Sequence, residues 1–294
     1  MIYRRKMINI VIVGNCQARP IASILPLLNN NINITATAIV HLLTDKYEEQ
    51  YIPFFDEADF IVTQQIADNY PCEFVRTNLL KSKYSNKIIT IINLYYSGYN
   101  PDLMYIRDTS QGTLKSPLGE YHNKTIYEAW KAGKSVKDAL SLYNDYDYNK
   151  NKYTNIARNS LLELKNREKN SDISITDFIE EEQKHQRLFF VFNHPSLSLL
   201  IEMVRKILTI MEIRISDIHA SIINEPLDKI IAPINIYAKS NLKINFKDVS
   251  SFKGVDCFVN NGDIITTNAI KEYSFLEITE NYYQIYDATY ENIR

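Results

Sequence analysis

Four short runs rich in β-branched and other apolar residues, at positions 8–13, 32–43, 58–65 and 87–94, are separated by segments long enough to carry the chain back across a sheet. Parallel strands need connections of that length and hairpins do not, so the spacing predicts a doubly wound α/β sheet. A fifth apolar run at 187–192 would join it only after a long excursion.

The first run leads into Gly14-Asn15-Cys16-Gln17-Ala18-Arg19-Pro20, and a helix is predicted over 18–29, with Pro20 tolerated in its first turn. Cys16 thus falls where a buried strand turns into a helix. Backbone N–H groups there favour a thiolate, which makes Cys16 a candidate nucleophile, with Asn15 and Gln17 as amide donors to an oxyanion and Gly14 letting the backbone bend toward a ligand. A small, buried, inert thiol is the alternative. The fifth run ends in Asn193-His194-Pro195-Ser196, with a helix predicted over about 195–212, so His194 repeats the arrangement of Cys16. Ligands of open α/β sheets bind at the carboxyl ends of the strands, where a thiol and an imidazole distant in sequence can cooperate.

Other candidates share that edge. Gln64 and Gln65 end the third run, and strand alternation lets only one of them face the site. Residues 93–101 form an aromatic loop after the fourth run, a candidate pocket wall. Tyr121 and His122 precede a helix start; His122 reads as an acid/base or phosphate ligand, or as a solvent-facing loop histidine. His41, His185 and His219 have weaker contexts, and Cys72 and Cys257 read as structural.

Residues 100–185 read as a helical insertion. The spacings Thr125 to Glu128, Ser135 to Asp138 and Ser174 to Asp177 are helix-start signals, and residues 144–154, rich in Tyr, Asn, Asp and Lys, read as a solvated loop. Beyond about 213 the chain reads as loops and short strands around 234–237 and 264–267, with a turn at 260–263. The expected organisation is a single α/β domain over 1–294, with a helical cap at about 100–185 and an irregular C-terminal region.

A net charge of -2 argues against a nucleic-acid surface, and the three cysteines lack the spacing of a zinc site or disulfide framework, so no metal is expected and a reducing compartment fits. No apolar stretch is long enough to span a bilayer, and the basic start Tyr3-Arg4-Arg5-Lys6 leads into a strand-like run; the chain reads as cytoplasmic. The 21 tyrosines suit stacking on sugars or an adenine ring.

Together the Gly14-Asn15-Cys16-Gln17-Ala18 turn, the run at 58–65, the Tyr121-His122 pair and Asn193-His194-Pro195-Ser196 resemble the WcbI family of capsular polysaccharide biosynthesis, over most of residues 8–212. The turn also looks like the Gly-Asp-Ser block of SGNH hydrolases, with Asn15 and Cys16 at the aspartate and serine positions. The family's Asp-x-x-His block is broken here, because Val191 stands three residues before His194. These resemblances imply a Rossmann-like (SGNH/flavodoxin-like), mostly parallel sheet with a helical insertion. They also imply transfer of an acetyl group from acetyl-coenzyme A to a sugar hydroxyl, with Cys16 and His194 at the reacting centre. Gly14, Asn15, Gln17 and one of Gln64 and Gln65 would serve the oxyanion, and Arg19, Tyr121, His122 and Asn193 the cofactor or substrate. The alternatives are a hydrolase with the same dyad, acting as thioesterase or carbohydrate O-deacetylase, and a non-catalytic binding protein of a polysaccharide operon. A homodimer stays open.

Overall fold

The structure, a computed structural model, describes residues 7–109, 112–215, 224–290 and 293. In chain order the main elements are β1 (Ile8–Gly14), α1 (Ala18–Leu28), β2 (Ile32–Ile39), α2 (Glu48–Glu57), β3 (Phe60–Gln64), α3 (Thr77–Tyr84) and β4 (Ile88–Ile91). Then come α4 (Lys124–Lys131), α5 (Val136–Asn144), α6 (Tyr146–Tyr153), α7 (Ile156–Glu168), α8 (Thr176–Glu182), α9 (Leu197–Ile210), α10 (Ile236–Asn241), a hairpin of Phe252–Asn260 with Asp263–Tyr273, and α11 (Phe275–Ala288). The chain divides into two compact units: Met1–Leu94, Leu162–Glu180 and Leu197–Pro226; and Tyr95–Leu161, Glu181–Ser196 and Leu227–Arg294.

The first unit is built on a four-stranded sheet in the order β2-β1-β3-β4, all parallel. β1 lies inside it, and Ile10, Val11, Ile12 and Val13 are fully buried, as a strand covered on both faces requires. Val11 and Val13 face a core with Phe55 of α2 and Leu80 of α3. Ile10 and Ile12 point the other way by alternation. On α1, Ala18, Ile21, Ile24, Leu25 and Leu28 recur at helical spacing and are buried, and this helix packs with β2 and α9. All four strands end on one edge, at Gly14, Ile39, Gln64 and Ile91.

The second unit is aromatic-rich: Tyr121, Tyr143, Phe192, Phe252, Tyr273, Tyr282 and Tyr286 share one core. The predicted fifth strand is not one. Residues 188–192 are buried, but their backbone groups turn back on themselves, with Phe190 N–H donating to His194 O, Ser196 N–H to Leu188 O, and an isolated bridge between Phe189 and Pro195. An apolar run signals burial, not sheet pairing, and here a tight turn satisfies the backbone instead.

Other expectations shift for physical reasons. Residues 146–153 form α6 rather than a loop, because the Asp145 side chain caps it by accepting from Tyr148 N–H. Helix α4 is capped by Asn123 through Ile126 N–H, so Thr125 lies inside it. The Ser135–Asp138 capping box forms as expected. In place of a box at Ser174, the Glu168 carboxylate accepts the N–H groups of Ile175 and Thr176. In the C-terminal region the described residues 224–290 carry helices and a hairpin where loops and short strands were expected. Residues 236–241 are helical under an Asn235 cap, and α11 starts on a Ser274–Glu277 capping box. The turn at 260–263 closes the hairpin, with Asn261 and Gly262 both at positive φ (51° and 88°).

Candidate functional site

Cys16 sits between the end of β1 and the start of α1, half-buried, while the other free cysteines, Cys72 and Cys257, are buried. The loop is held by a polar network within the first unit. Asn15 N–H donates to Gln64 Oε1 (2.8 Å), Asn15 Oδ1 accepts Gln17 N–H (2.9 Å), and Asn15 Nδ2 donates to Asn93 Oδ1 (2.9 Å). Gln17, fully buried, donates from Nε2 to Leu94 O (2.8 Å) and accepts Leu94 N–H (3.0 Å) and Gln64 Nε2–H (3.2 Å) at Oε1. Asn15, Gln17 and Gln64 thus form the frame that fixes the cysteine turn, and the amides expected to meet an oxyanion are engaged with one another and with Asn93 and Leu94. The backbone N–H groups of Cys16 and Gln17 favour charge on the sulfur, the Gln17 N–H while it also donates to Asn15 Oδ1.

The electrostatics correct one expectation. Burial pushes the Cys16 thiol above its ordinary range, outweighing the Cys16 and Gln17 amides and the Arg19 charge, which pull it down. The thiol is therefore protonated at neutral pH and needs a base to become a nucleophile. Arg19 is exposed on the first turn of α1, a helix with no acidic residue there, so positive potential at this end is unopposed locally.

Gly14 is required by contact rather than by an unusual backbone angle: a Cβ there would lie 2.8 Å from Gln64 Oε1 and 2.9 Å from its Cδ. Gly14→Ala is expected to displace the Gln64 amide, breaking its bonds to Asn15 and Gln17, and to cost about 2 kcal/mol in urea unfolding. A change below about 0.5 kcal/mol would show that the network repacks without loss. Gln64 faces the cysteine turn, whereas Gln65 turns away and donates to Arg167 O (3.2 Å), so the alternation argument holds.

In the second unit His194 lies in the turn that precedes α9. Its Nε2 is 3.2 Å from the Tyr121 hydroxyl, which donates to Asn193 Oδ1 (2.6 Å), and Asn193 Nδ2 donates to the Tyr105 hydroxyl (3.1 Å). The Tyr121 hydroxyl is therefore the side-chain group at the imidazole Nε2, and no carboxylate hydrogen-bonds the ring among the described residues. Nδ1 is buried without a hydrogen-bond partner of ordinary geometry. Burial lowers the His194 pKa to about 4, more than the nearby Leu227 backbone raises it, so the ring is neutral at pH 7.

His122 is neither solvent-facing nor a ligand for substrate. It is fully buried between the Tyr286 hydroxyl (3.0 Å) and Leu114 O (3.1 Å), and burial lowers its pKa to about 4. The loop at 93–101 is not a flexible wall either: Tyr96 and Tyr99 are buried, and their hydroxyls donate to the Gln183 side chain and to Gln183 O. His41 is exposed, His185 Nδ1 meets Asn245 Nδ2 at the surface, and His219 lies outside the described residues, as does the basic start at 3–6. Tyr105 and Arg167 are the members of these networks that sequence reasoning missed, while Asn93 and Leu94 were expected only as part of a pocket wall. Their part is played through side chains and carbonyls whose partners are set by tertiary register, and no local pattern marks them.

Comparison with known proteins adds two findings. The model of the family described as polysaccharide biosynthesis enzyme WcbI matches residues 9–215. A solved structure of WcbI, described as a polysaccharide biosynthesis enzyme and as native protein without a disulfide bond between coenzyme A and a cysteine, superposes with a TM-score of 0.72 at 16% identity. The match covers 97% of this chain and 91% of that one, and at such identity it establishes the α/β fold. No curated protein matches the chain.

Proposed function

The chain belongs to the WcbI family of polysaccharide biosynthesis enzymes, and from that premise we propose that it transfers an acetyl group from acetyl-coenzyme A to a hydroxyl of a capsular or surface polysaccharide precursor. The observation that carries the reading is Cys16: of three free cysteines it alone is not buried, and it stands at the strand-to-helix turn of the sheet edge where α/β proteins hold ligands. The related WcbI structure is described in terms of a disulfide between coenzyme A and a cysteine, and Cys16 is the thiol here that a coenzyme A thiol can approach.

The residues present suit that cosubstrate. The exposed Arg19 and the unopposed start of α1 favour its anionic phosphates, and the amides of Cys16 and Gln17 favour negative charge on sulfur or on a thioester oxygen. His194, neutral at pH 7, is in the protonation state a general base needs. In the covalent version a general base takes the Cys16 Sγ–H proton as sulfur bonds the acetyl carbon, and coenzyme A leaves with that proton. The acceptor oxygen then displaces Sγ as its own proton passes to the base and on to the thiol. In the direct version the acceptor oxygen attacks the thioester itself, and its proton passes through the base to the departing thiolate.

Calorimetric titration of coenzyme A into the protein is expected to show micromolar binding, with acetyl-coenzyme A hydrolysed slowly until a sugar acceptor is added. No detectable binding would overturn the transferase reading. Fast hydrolysis without acceptor would replace it with a thioesterase.

A further inference from the structure

One residue beyond Gln64, the same sheet edge opens into a pocket of about 600 Å3, with Gln65, Thr77, Asn78, Lys81 and Asn170 as its polar lining and Ile66 among its apolar contacts. That volume lies in the range of small-molecule sites. Both walls are tied to Asn15, the residue before Cys16. On one side the Thr77 hydroxyl donates to Gln64 O (3.0 Å) and accepts Ile66 N–H (2.8 Å), and the Gln64 side chain holds Asn15 N–H. On the other, Gln65 Nε2 and Asn170 N–H both donate to Arg167 O, Arg167 Nη1 donates to Asn93 O (3.1 Å), and Asn93 Oδ1 accepts from Asn15 Nδ2. The pocket and the cysteine turn are two ends of one hydrogen-bonded frame.

The lining is specific in its chemistry. The three amide side chains carry both donors and acceptors, which matches adjacent sugar hydroxyls that do the same, while the Thr77 hydroxyl, already donating to Gln64 O, belongs to the wall. On α3, Lys81 lies four residues after Thr77 and three after Asn78, so it neighbours both on the helix surface. Asn78 Nδ2 donates to Asp68, so one carboxylate is present at that rim, while Lys81 makes no ion pair among the described residues. An ammonium without an acidic partner beside a polyol-binding lining suits a sugar that carries its own negative charge.

Resting on the transferase reading above, we infer that this pocket is the acceptor subsite and that it takes a hexose bearing a phosphate or a carboxylate.

The test is calorimetric titration of glucose 1-phosphate, glucuronate, glucose and inorganic phosphate into the full chain saturated with coenzyme A, and into Lys81→Ala. The two anionic sugars are expected to bind, with the better of them showing which charge the site reads. Lys81→Ala is expected to weaken both by about tenfold, the effect of one hydrogen bond to a charged group, and to leave glucose unchanged. Lys81 is exposed, so the variant is expected to keep its melting temperature. The inference is overturned if inorganic phosphate binds as well as glucose 1-phosphate, if Lys81→Ala changes nothing, or if saturating coenzyme A abolishes sugar binding and the variant loses coenzyme A affinity instead. Failure of the cofactor reading is seen separately: coenzyme A then does not bind, while Lys81-dependent sugar binding to the free protein persists.

Discussion

Cys16→Ala is expected to lower acetyl transfer by about a thousandfold or more while leaving the fold intact, and His194→Ala by a comparable factor, because residues that act as one unit in covalent catalysis each remove most of the rate. The expectation follows from the state of the two groups. The thiol is held above its ordinary pKa by burial, so sulfur reacts only when a base takes its proton; the imidazole is neutral and available. Three measurements check it: transfer rates of both variants, coenzyme A affinity, and iodoacetamide alkylation against pH. Alkylation of wild type is expected to rise only above the ordinary thiol range. A midpoint well below that range would show that the helix-start amides outweigh burial after all. A loss of only tenfold in Cys16→Ala with His194→Ala still nearly inactive would leave direct transfer as the route.

The sheet was legible because its signals are local. Periodicity gave β1 to within a residue and placed β3 and β4 inside runs that overshoot them by one to three residues, and Gly14-Asn15-Cys16 punctuated β1 where the strand does end. The identities of Gln17 and Gln64 were legible too, but not their partners. Gln17 lies 77 residues from Leu94 and 47 from Gln64, and such pairings depend on strand order, which no window of sequence contains. Residues 188–192 show the limit of hydrophobic runs, since burial was right and sheet membership was not. Helices α6 and α11 were missed for different reasons. The first is too polar to show an apolar stripe and rests on its Asp145 cap, whereas the second carries a readable Ser274–Glu277 box that the mixed sequence around it obscured. His122 offered no warning of its burial, because the hydroxyl that satisfies it belongs to Tyr286, 164 residues on.

That buried histidine makes the fold acid-sensitive in a definite window. Leu114 O can only accept, so the neutral His122 ring carries its proton on Nε2 and Nδ1 accepts from the Tyr286 hydroxyl. Charging the ring would place a cation in an aromatic core, which is why burial holds its pKa at about 4 against an ordinary value of 6.5. Because the folded pKa lies below the unfolded one, the unfolded chain takes up protons first as pH falls. The stability contributed by the neutral ring is complete above about pH 6.5 and is lost as pH drops through that value toward 4. By pH 5 the loss amounts to about 2 kcal/mol for His122. His194 is shifted in the same direction to about the same value and adds to it. Urea unfolding between pH 7.5 and 5, above most carboxylate titration, is expected to show the decline. His122→Gln is expected to be less stable at pH 7.5 but to lose about half of the slope, the remainder belonging to His194. A wild-type stability that stays flat over this range would mean that His122 takes up its proton in the folded chain as readily as in the unfolded one, as a ring reached by water does, and would overturn its place as a neutral core residue.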